Sequence, residues 1–452
     1  MTKKSTLTAG ETIEPGGSGN EIPADKKGKP SFRNPWAWVP SLYFAEGVPY
    51  AIVMLVSVVM YKDMGISNSD IAFYTSWLSL PWVIKPLWSP FVDMFNKKRF
   101  WIVLMQFLVG SGLAGVAFTI PASAFFQYTL MFFFLLAFSS ATHDIAADGF
   151  YMLALDKHNQ AFYAGIRSTF YRTAMITSQG ILVVIAGTLE KNGTVQNAWT
   201  IVFYLITGLF FIFAIYHYIF LPCPVSDKPV KAEGTAGVIP NFVKTFALFF
   251  QKKNIGLVII FLLIYRLGEA QLLGLIVPFL KDPRATGGLG LTTQEVGIVS
   301  GTIGIIGLMT GGILGGIFSA RVGLGKALWW MFASINIPAL IYIYLSIAQP
   351  ESIVITGACI GLEQFLYGFG FTAYTLYMMS VCDGALRTAH YSIATGFMAL
   401  SMMIPRMVSG WVQQQLGYQH FFIWVFLAII PAFFITRALP IDPDFGKKPK
   451  TE

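Results

Sequence analysis

The chain has 452 residues, 55% of them hydrophobic and only 12% charged, with a net charge of +8 and a mean hydropathy of +0.62. A soluble protein carries roughly 25% charged residues, so the polar shell that a soluble enzyme, a disordered scaffold or a nucleic-acid-binding protein of this length needs is missing. The apolar runs are unbroken rather than alternating, which excludes a membrane β-barrel, and the basic residues fall between those runs, where they orient helices in a bilayer.

Residues 1–35 are polar, contain Gly16-Gly17-Ser18-Gly19 and lack the apolar core of a signal peptide, so they read as a disordered tail. A crossing helix needs about 20 apolar residues. Runs of that kind lie at 36–61, 67–92, 99–120, 123–155, 160–188, 199–221, 255–280, 293–320, 326–347, 351–381, 386–411 and 418–438. The expected architecture is an all-α membrane protein of about twelve transmembrane helices in two six-helix halves. The first bundle covers 36–221 and the second 255–438, with a linker at 222–254 and a tail at 439–452. In the linker, Phe242, Phe246, Phe249 and Phe250 recur near helical spacing beside Lys244, Lys252 and Lys253, as in a helix lying on a membrane surface.

With the N-terminus inside, the inner segments hold Lys97, Lys98, Arg99, Lys157, Lys228, Lys231, Lys244, Lys252, Lys253, Arg321, Lys326 and Arg387. The outer loops hold only Lys62, Lys191, Lys281 and Arg284. That asymmetry places both termini in the cytoplasm. Cys223, Cys359 and Cys382 are scattered without metal-ligand spacing, and no nucleotide-binding motif is present, so no metal or cofactor is expected.

The halves repeat weakly. Tyr43-Phe44-Ala45-Glu46 aligns with Leu267-Gly268-Glu269, and Phe150 through Asp156 with Leu376 through Asp383. Ser67-Asn68-Ser69-Asp70 and Thr292-Thr293-Gln294-Glu295 each set a cap before an acidic first turn. A parallel six-plus-six repeat is the plan of many secondary transporters.

Charges at the bilayer centre cost at least ~2.5–3.5 kcal/mol each. The runs nonetheless contain Glu46, Lys85, His143, Asp144, Asp148, Arg167, Arg172, Arg266, Glu269, Glu363 and Arg406. Such residues point to a polar pathway for a small-molecule substrate and protons. Asp144 and Asp148 share one helix face, and two close carboxylates resist joint ionisation. With Glu46 they are the expected proton-coupling groups, and Lys85 or Arg167 can compete with the proton. Expected substrate contacts are Glu46, Lys85, Arg167, Arg172, Arg266, Glu269, Tyr43, Gln271 and Gln364, with Tyr74, Trp77, Tyr171, Tyr265 and Tyr374 as further aromatic or hydrogen-bonding candidates. His143 and Asp148 also spell H-x-x-x-x-D, a pattern used by acyltransferases, so a membrane-embedded enzyme is the rival reading. Gly304, Gly307, Gly311 and Gly315 form a stripe suited to close helix packing.

Ser89-Pro90-Phe91-Val92-Asp93 followed by Asn96-Lys97-Lys98-Arg99 resembles the Major Facilitator Superfamily loop between helices 2 and 3. That resemblance implies gating roles for Asp93, Lys97, Lys98 and Arg99. Ser41-Leu42-Tyr43-Phe44-Ala45-Glu46-Gly47-Val48-Pro49, Lys85-Pro86-Leu87-Trp88-Ser89-Pro90 and Ala141-Thr142-His143-Asp144-Ile145-Ala146-Ala147-Asp148-Gly149 resemble signatures of AmpG-type muropeptide permeases and the related acetyl-CoA transporters. The resemblance implies the Major Facilitator fold and proton-driven import of anhydromuropeptides across a bacterial inner membrane; the chain is expected to act as a monomer. Acyl-CoA and siderophore carriers are the alternatives. His143 stands where that motif carries Gln.

Overall fold

The computed structural model describes residues 34–155, 157–224, 227, 244, 246–382, 387–443 and 445. Residues 1–33 of the expected tail at 1–35, most of the linker, and Asp156 and Asp383 of the repeat lie outside the described residues. Among the described residues all regular structure is helical.

In chain order the crossings are α1 (Pro35–Asp63), α2 (Asn68–Trp77 continued by Leu80–Phe95), α3 (Lys98–Thr119), α4 (Phe125–Ala154), α5 (Gly165–Glu190) and α6 (Val195–Phe220). The second set is α7 (Ile255–Lys281), α8 (Thr293–Val322), α9 (Leu324–Ala348), α10 (Ile353–Val381), α11 (390–416) and α12 (418–438). Among the described residues, ten helical runs are long and apolar enough to cross a membrane. One of these, of 49 residues, turns at Gly417 (φ 71°) and supplies both α11 and α12. The twelfth crossing, α2, is broken at Leu78-Ser79, and Pro81, in the first turn of the segment that follows, has no N–H to carry the hydrogen-bond ladder back across the break.

Several breaks place functional groups. Pro49 inside α1 cannot donate a backbone bond, and a π-helical turn follows at Ile52–Val56. Helix α7 is interrupted at Tyr265-Arg266 and restarts at Leu267 with Glu269 in its first turn. Backbone inside a membrane stays irregular only where it is covered by protein or lines a cavity, and Arg266 and Glu269 are both buried.

Helix starts are capped as the sequence indicates. Ser67 accepts from the Asp70 amide, and Thr292 with Glu295 completes a capping box. The glycine stripe packs: a Cβ at Gly311 would fall on the carbonyl oxygen of Phe365, so α8 lies backbone to backbone on α10.

An even number of crossings puts both described chain ends on one face, called here the terminal face; the other is the far face. At the far face the halves touch in matching ways. A Cβ at Gly410 of α11 would meet Asn68 at the start of α2, and one at Gly187 of α5 would meet Gln294 at the start of α8. In the linker, residues 246–250 are helical, and Phe249 is buried against Phe397 of α11 rather than turned toward lipid. Phe242 lies outside the described residues.

Candidate functional site

The first half gathers five ionisable residues around its inward surface. Asp144 of α4 takes the Lys85 ammonium at 3.4 Å and the Trp82 indole N–H at 3.2 Å, both from α2. One turn on, Asp148 takes the Arg167 guanidinium of α5 at 2.8 Å and the Tyr43 hydroxyl of α1 at 3.4 Å. The Arg167 guanidinium lies over the Tyr43 ring, 4.5 Å from its centroid. The two aspartates thus share a face but not a partner. Glu46 of α1 is only 7% exposed, and its Oε2 has no hydrogen-bond partner. Three carboxylates face two bases, so the cluster carries one acid in excess.

Glu46, His143 and Asp144 bring one ligand-type atom each to within 4.8 Å of one another. Two carboxylates and an imidazole are a donor set a small cation could use. Lys85 already sets an ammonium beside Asp144, so the positive charge the site calls for is partly supplied by the chain itself.

The second half answers with a tight pair. Arg266 grips Glu269 in bidentate fashion, Nε to Oε2 at 2.8 Å and a terminal nitrogen to Oε1 at 2.6 Å. The same guanidinium donates to the Tyr367 hydroxyl at 2.8 Å and lies 4.8 Å from the Phe371 ring centroid. Tyr367 and Phe371 also line a cavity of about 580 Å³ between α5, α8 and α10. Arg172, Ser168 and Thr169 line its other wall, so the cavity is shared by the two halves.

The remaining expected residues fall in different places. Gln364 donates to Glu363 at 2.8 Å, and Gln271 accepts from Trp424 of α12 at 2.9 Å. Tyr265 and Tyr374 stack on each other deep in the second half, while Tyr74 and Trp77 lie at the protein surface. Tyr171 packs where α5 crosses α1 at Gly47. The side chain of Asp93 lies outside the described residues. Lys98 and Arg99 donate their backbone amides to Asp227, at 2.7 and 3.2 Å, and the Arg99 side chain holds Cys223 and the Tyr218 carbonyl. Those contacts stay within the first half and the start of the linker, and Lys97 is exposed. His143 and Asp148 do not converge as an H-x-x-x-x-D enzyme pair would require: His143 faces Gln106 of α3 and Asp148 faces Arg167 of α5.

What joins the halves is a set of residues of which the sequence marked Lys62 and Lys281 as loop charges and Asn68 and Thr293 as part of helix starts, and did not single out Asp63 or Asp282. Lys62 at the end of α1 pairs with Asp282 just past the end of α7, and Lys281 pairs with Asp63. Asn68 donates to Asp282 at 2.9 Å, and Thr293 donates to Asp63 at 3.0 Å. Each lysine also reaches the cap-region residue of its own half, Lys62 to Asn68 and Lys281 to Thr293, both at 2.7 Å. The arrangement is a two-fold cross that seals the far face. Its sequence signal was present: a Lys-Asp pair ends both α1 and α7. Beneath it, Arg406 of α11 reaches the Met54 carbonyl of α1 at 3.3 Å and the Thr75 hydroxyl of α2 at 3.4 Å.

Comparison with known proteins agrees with this architecture. The family model described as Major Facilitator Superfamily matches residues 41–410. A putative transporter AmpG 4 of Rickettsia conorii is 25% identical over 411 residues, covering 88% of this chain and 94% of its own. The anhydromuropeptide permease of Escherichia coli K12 is 26% identical over 398 residues, covering 86% of this chain and 76% of its own. Among solved structures, a bacterial homologue of the human lysosomal transporter Spinster, in an inward-facing and unoccupied conformation, superposes with a TM-score of 0.69 at 13% identity, covering 91% of this chain and 98% of that one.

Proposed function

We propose, for a chain that belongs to the Major Facilitator Superfamily, that it imports anhydromuropeptides, sugar-peptide fragments of the cell wall, and couples their entry to protons. Membership makes it a multi-pass transporter that moves a small molecule unchanged, and not an enzyme. The substrate class follows the relatives' names. The observation that carries the mechanism is the odd acid: among the described residues, the cations paired with the group of Glu46, Asp144 and Asp148 are Lys85 and Arg167. Buried net charge is costly, and one bound proton removes it.

With the termini in the cytoplasm of a bacterial inner membrane, the sealed far face is periplasmic and this conformation opens inward. Substrate sits between the halves, against Arg172, Tyr367 and the cluster around Arg167. Arg266 and Glu269 orient Tyr367. Asp93, Lys97, Lys98 and Arg99 join the halves in the opposite state, in which the cytoplasmic side is closed.

The test is uptake of a labelled anhydromuropeptide into proteoliposomes under an acid-outside gradient. Asp144→Asn and Asp148→Asn are expected to abolish acid-driven uptake while the protein still inserts. Normal transport by both variants at every pH overturns the coupling role. Competition by acetyl-CoA or a ferric siderophore stronger than by unlabelled muropeptide overturns the substrate.

A further inference from the structure

A second polar chain runs inside the first bundle, away from the cavity. His143 on α4, Gln106 on α3 and His217 on α6 are all buried. His143 Nε2 lies 3.0 Å from Gln106 Nε2, and His217 Nδ1 lies 2.9 Å from Gln106 Oε1. His217 Nε2 lies 3.0 Å from Ser41 Oγ, which also reaches the Trp38 carbonyl at 3.2 Å. Ser41 is half-buried and stands five residues before Glu46 on α1, about 7.5 Å nearer the terminal face at ~1.5 Å per residue. The chain therefore departs from α1 beside Glu46 and returns to it lower down.

Its upper end is open. Glu46 Oε2 and His143 Nδ1 are buried without a partner, yet Glu46 and His143 belong to the same 4.8 Å cluster. Buried polar atoms are ordinarily satisfied, and a purely structural network would close on itself. The charged groups facing His143 are Glu46, Asp144 and Lys85. Asp144 is held by Lys85, and Asp148 by Arg167. At its lower end, His217 meets Gln106, Ser41 and the ring of Phe213.

We infer that Glu46, His143, Gln106, His217 and Ser41 form a proton relay from the charged cluster to the terminal face, separate from the substrate cavity. The inference rests on the proton-coupled reading above and deepens it. With the Gln106 amide turned end for end from the orientation in which it donates to His143 and accepts from His217, its oxygen faces His143. The Glu46 O–H bond then breaks as a bond forms to His143 Nδ1, and His143 Nε2 releases its proton to the Gln106 carbonyl oxygen. The Gln106 amide then gives a proton to His217, and His217 gives one to Ser41 as the Ser41 proton leaves to water. One proton moves in total: His143 and His217 end as their other tautomers and Gln106 as its imidic acid, and reorientation of these groups before the next proton resets the chain. Turning the Gln106 amide end for end exchanges its donor and acceptor, so the chain is usable in both directions.

The test uses the full chain in proteoliposomes with a labelled anhydromuropeptide. The variants Gln106→Met, His143→Gln and His217→Gln are compared with Asp144→Asn and the unaltered protein. Counterflow at equal pH needs no net proton movement. It is expected to stay within about twofold of the unaltered rate in the three relay variants. Their acid-driven uptake, and the substrate-induced pH change read by an entrapped dye, are expected to fall at least tenfold. His143→Gln and His217→Gln keep hydrogen-bonding side chains, so the test survives if Gln106→Met fails to fold. Normal acid-driven uptake in the relay variants, or equal loss of counterflow and driven uptake, overturns the relay. If Asp144→Asn alone uncouples, only the relay fails; if the unaltered protein shows no acid-driven uptake, the proton-coupled reading fails with it.

Discussion

Lys62 and Asp282 bind each other across the two halves of the molecule, and the same bond is repeated, with the roles of the halves exchanged, by Lys281 and Asp63. Because the two Lys-Asp pairs end equivalent helices, one repeat unit closes on the other as a self-complementary cross. All four charges are paired in this conformation. Replacing both aspartates (Asp63→Asn with Asp282→Asn) is expected to shift the protein toward the state open at the far face. The reporter is a cysteine at Ser409, fully buried beside Gly274, in a background lacking the three native cysteines. Maleimide labelling there should accelerate at least tenfold; an unchanged rate would show that the cross does not hold the face shut.

The Arg266–Glu269 pair makes a prediction about stability. Both side chains are buried, and removing one partner of a buried pair typically costs about 3–5 kcal/mol by leaving a bare charge. Glu269→Gln or Arg266→Leu should therefore lower the thermal midpoint in detergent, and the double variant should recover much of the loss. Recovered stability without recovered uptake would mark the pair as part of the transport machinery; additive losses would contradict the pairwise account.

Arg172 lines the shared cavity from α5. Its replacement by Ala should raise the concentration of muropeptide needed for half-maximal binding at least tenfold, with folding preserved. Unchanged binding, read by tryptophan quenching or calorimetry, would remove the cavity from the substrate's path.

The α8 stripe predicts a steric contrast. Gly311→Ala would push a methyl group into the Phe365 carbonyl, whereas nothing lies near a Cβ at Gly316, five residues on. Overpacking of this kind typically costs about 1–3 kcal/mol. Gly311→Ala should reduce the yield of monodisperse protein and Gly316→Ala should not; equal behaviour would mean that α8 and α10 can separate freely.

Apolar length fixed the crossings, because a helix in hydrocarbon must satisfy its backbone internally and needs no partner to be recognised. Charges inside those runs likewise announced a polar pathway, and the spacing of Asp144 and Asp148 put them on one face. The sequence also named Lys85 and Arg167 as bases able to pair with these carboxylates, and helix packing delivers Lys85 from α2 to Asp144 and Arg167 from α5 to Asp148. Partner choice over longer distances could not be read that way. The contacts of Arg266 with Tyr367 and of Arg406 with Met54, the two-fold cross at the far face and the Gln106 bridge between two histidines each join residues tens to hundreds of positions apart. Only helix packing, governed by small residues and by the repeat's symmetry, decides which of those distant groups meet.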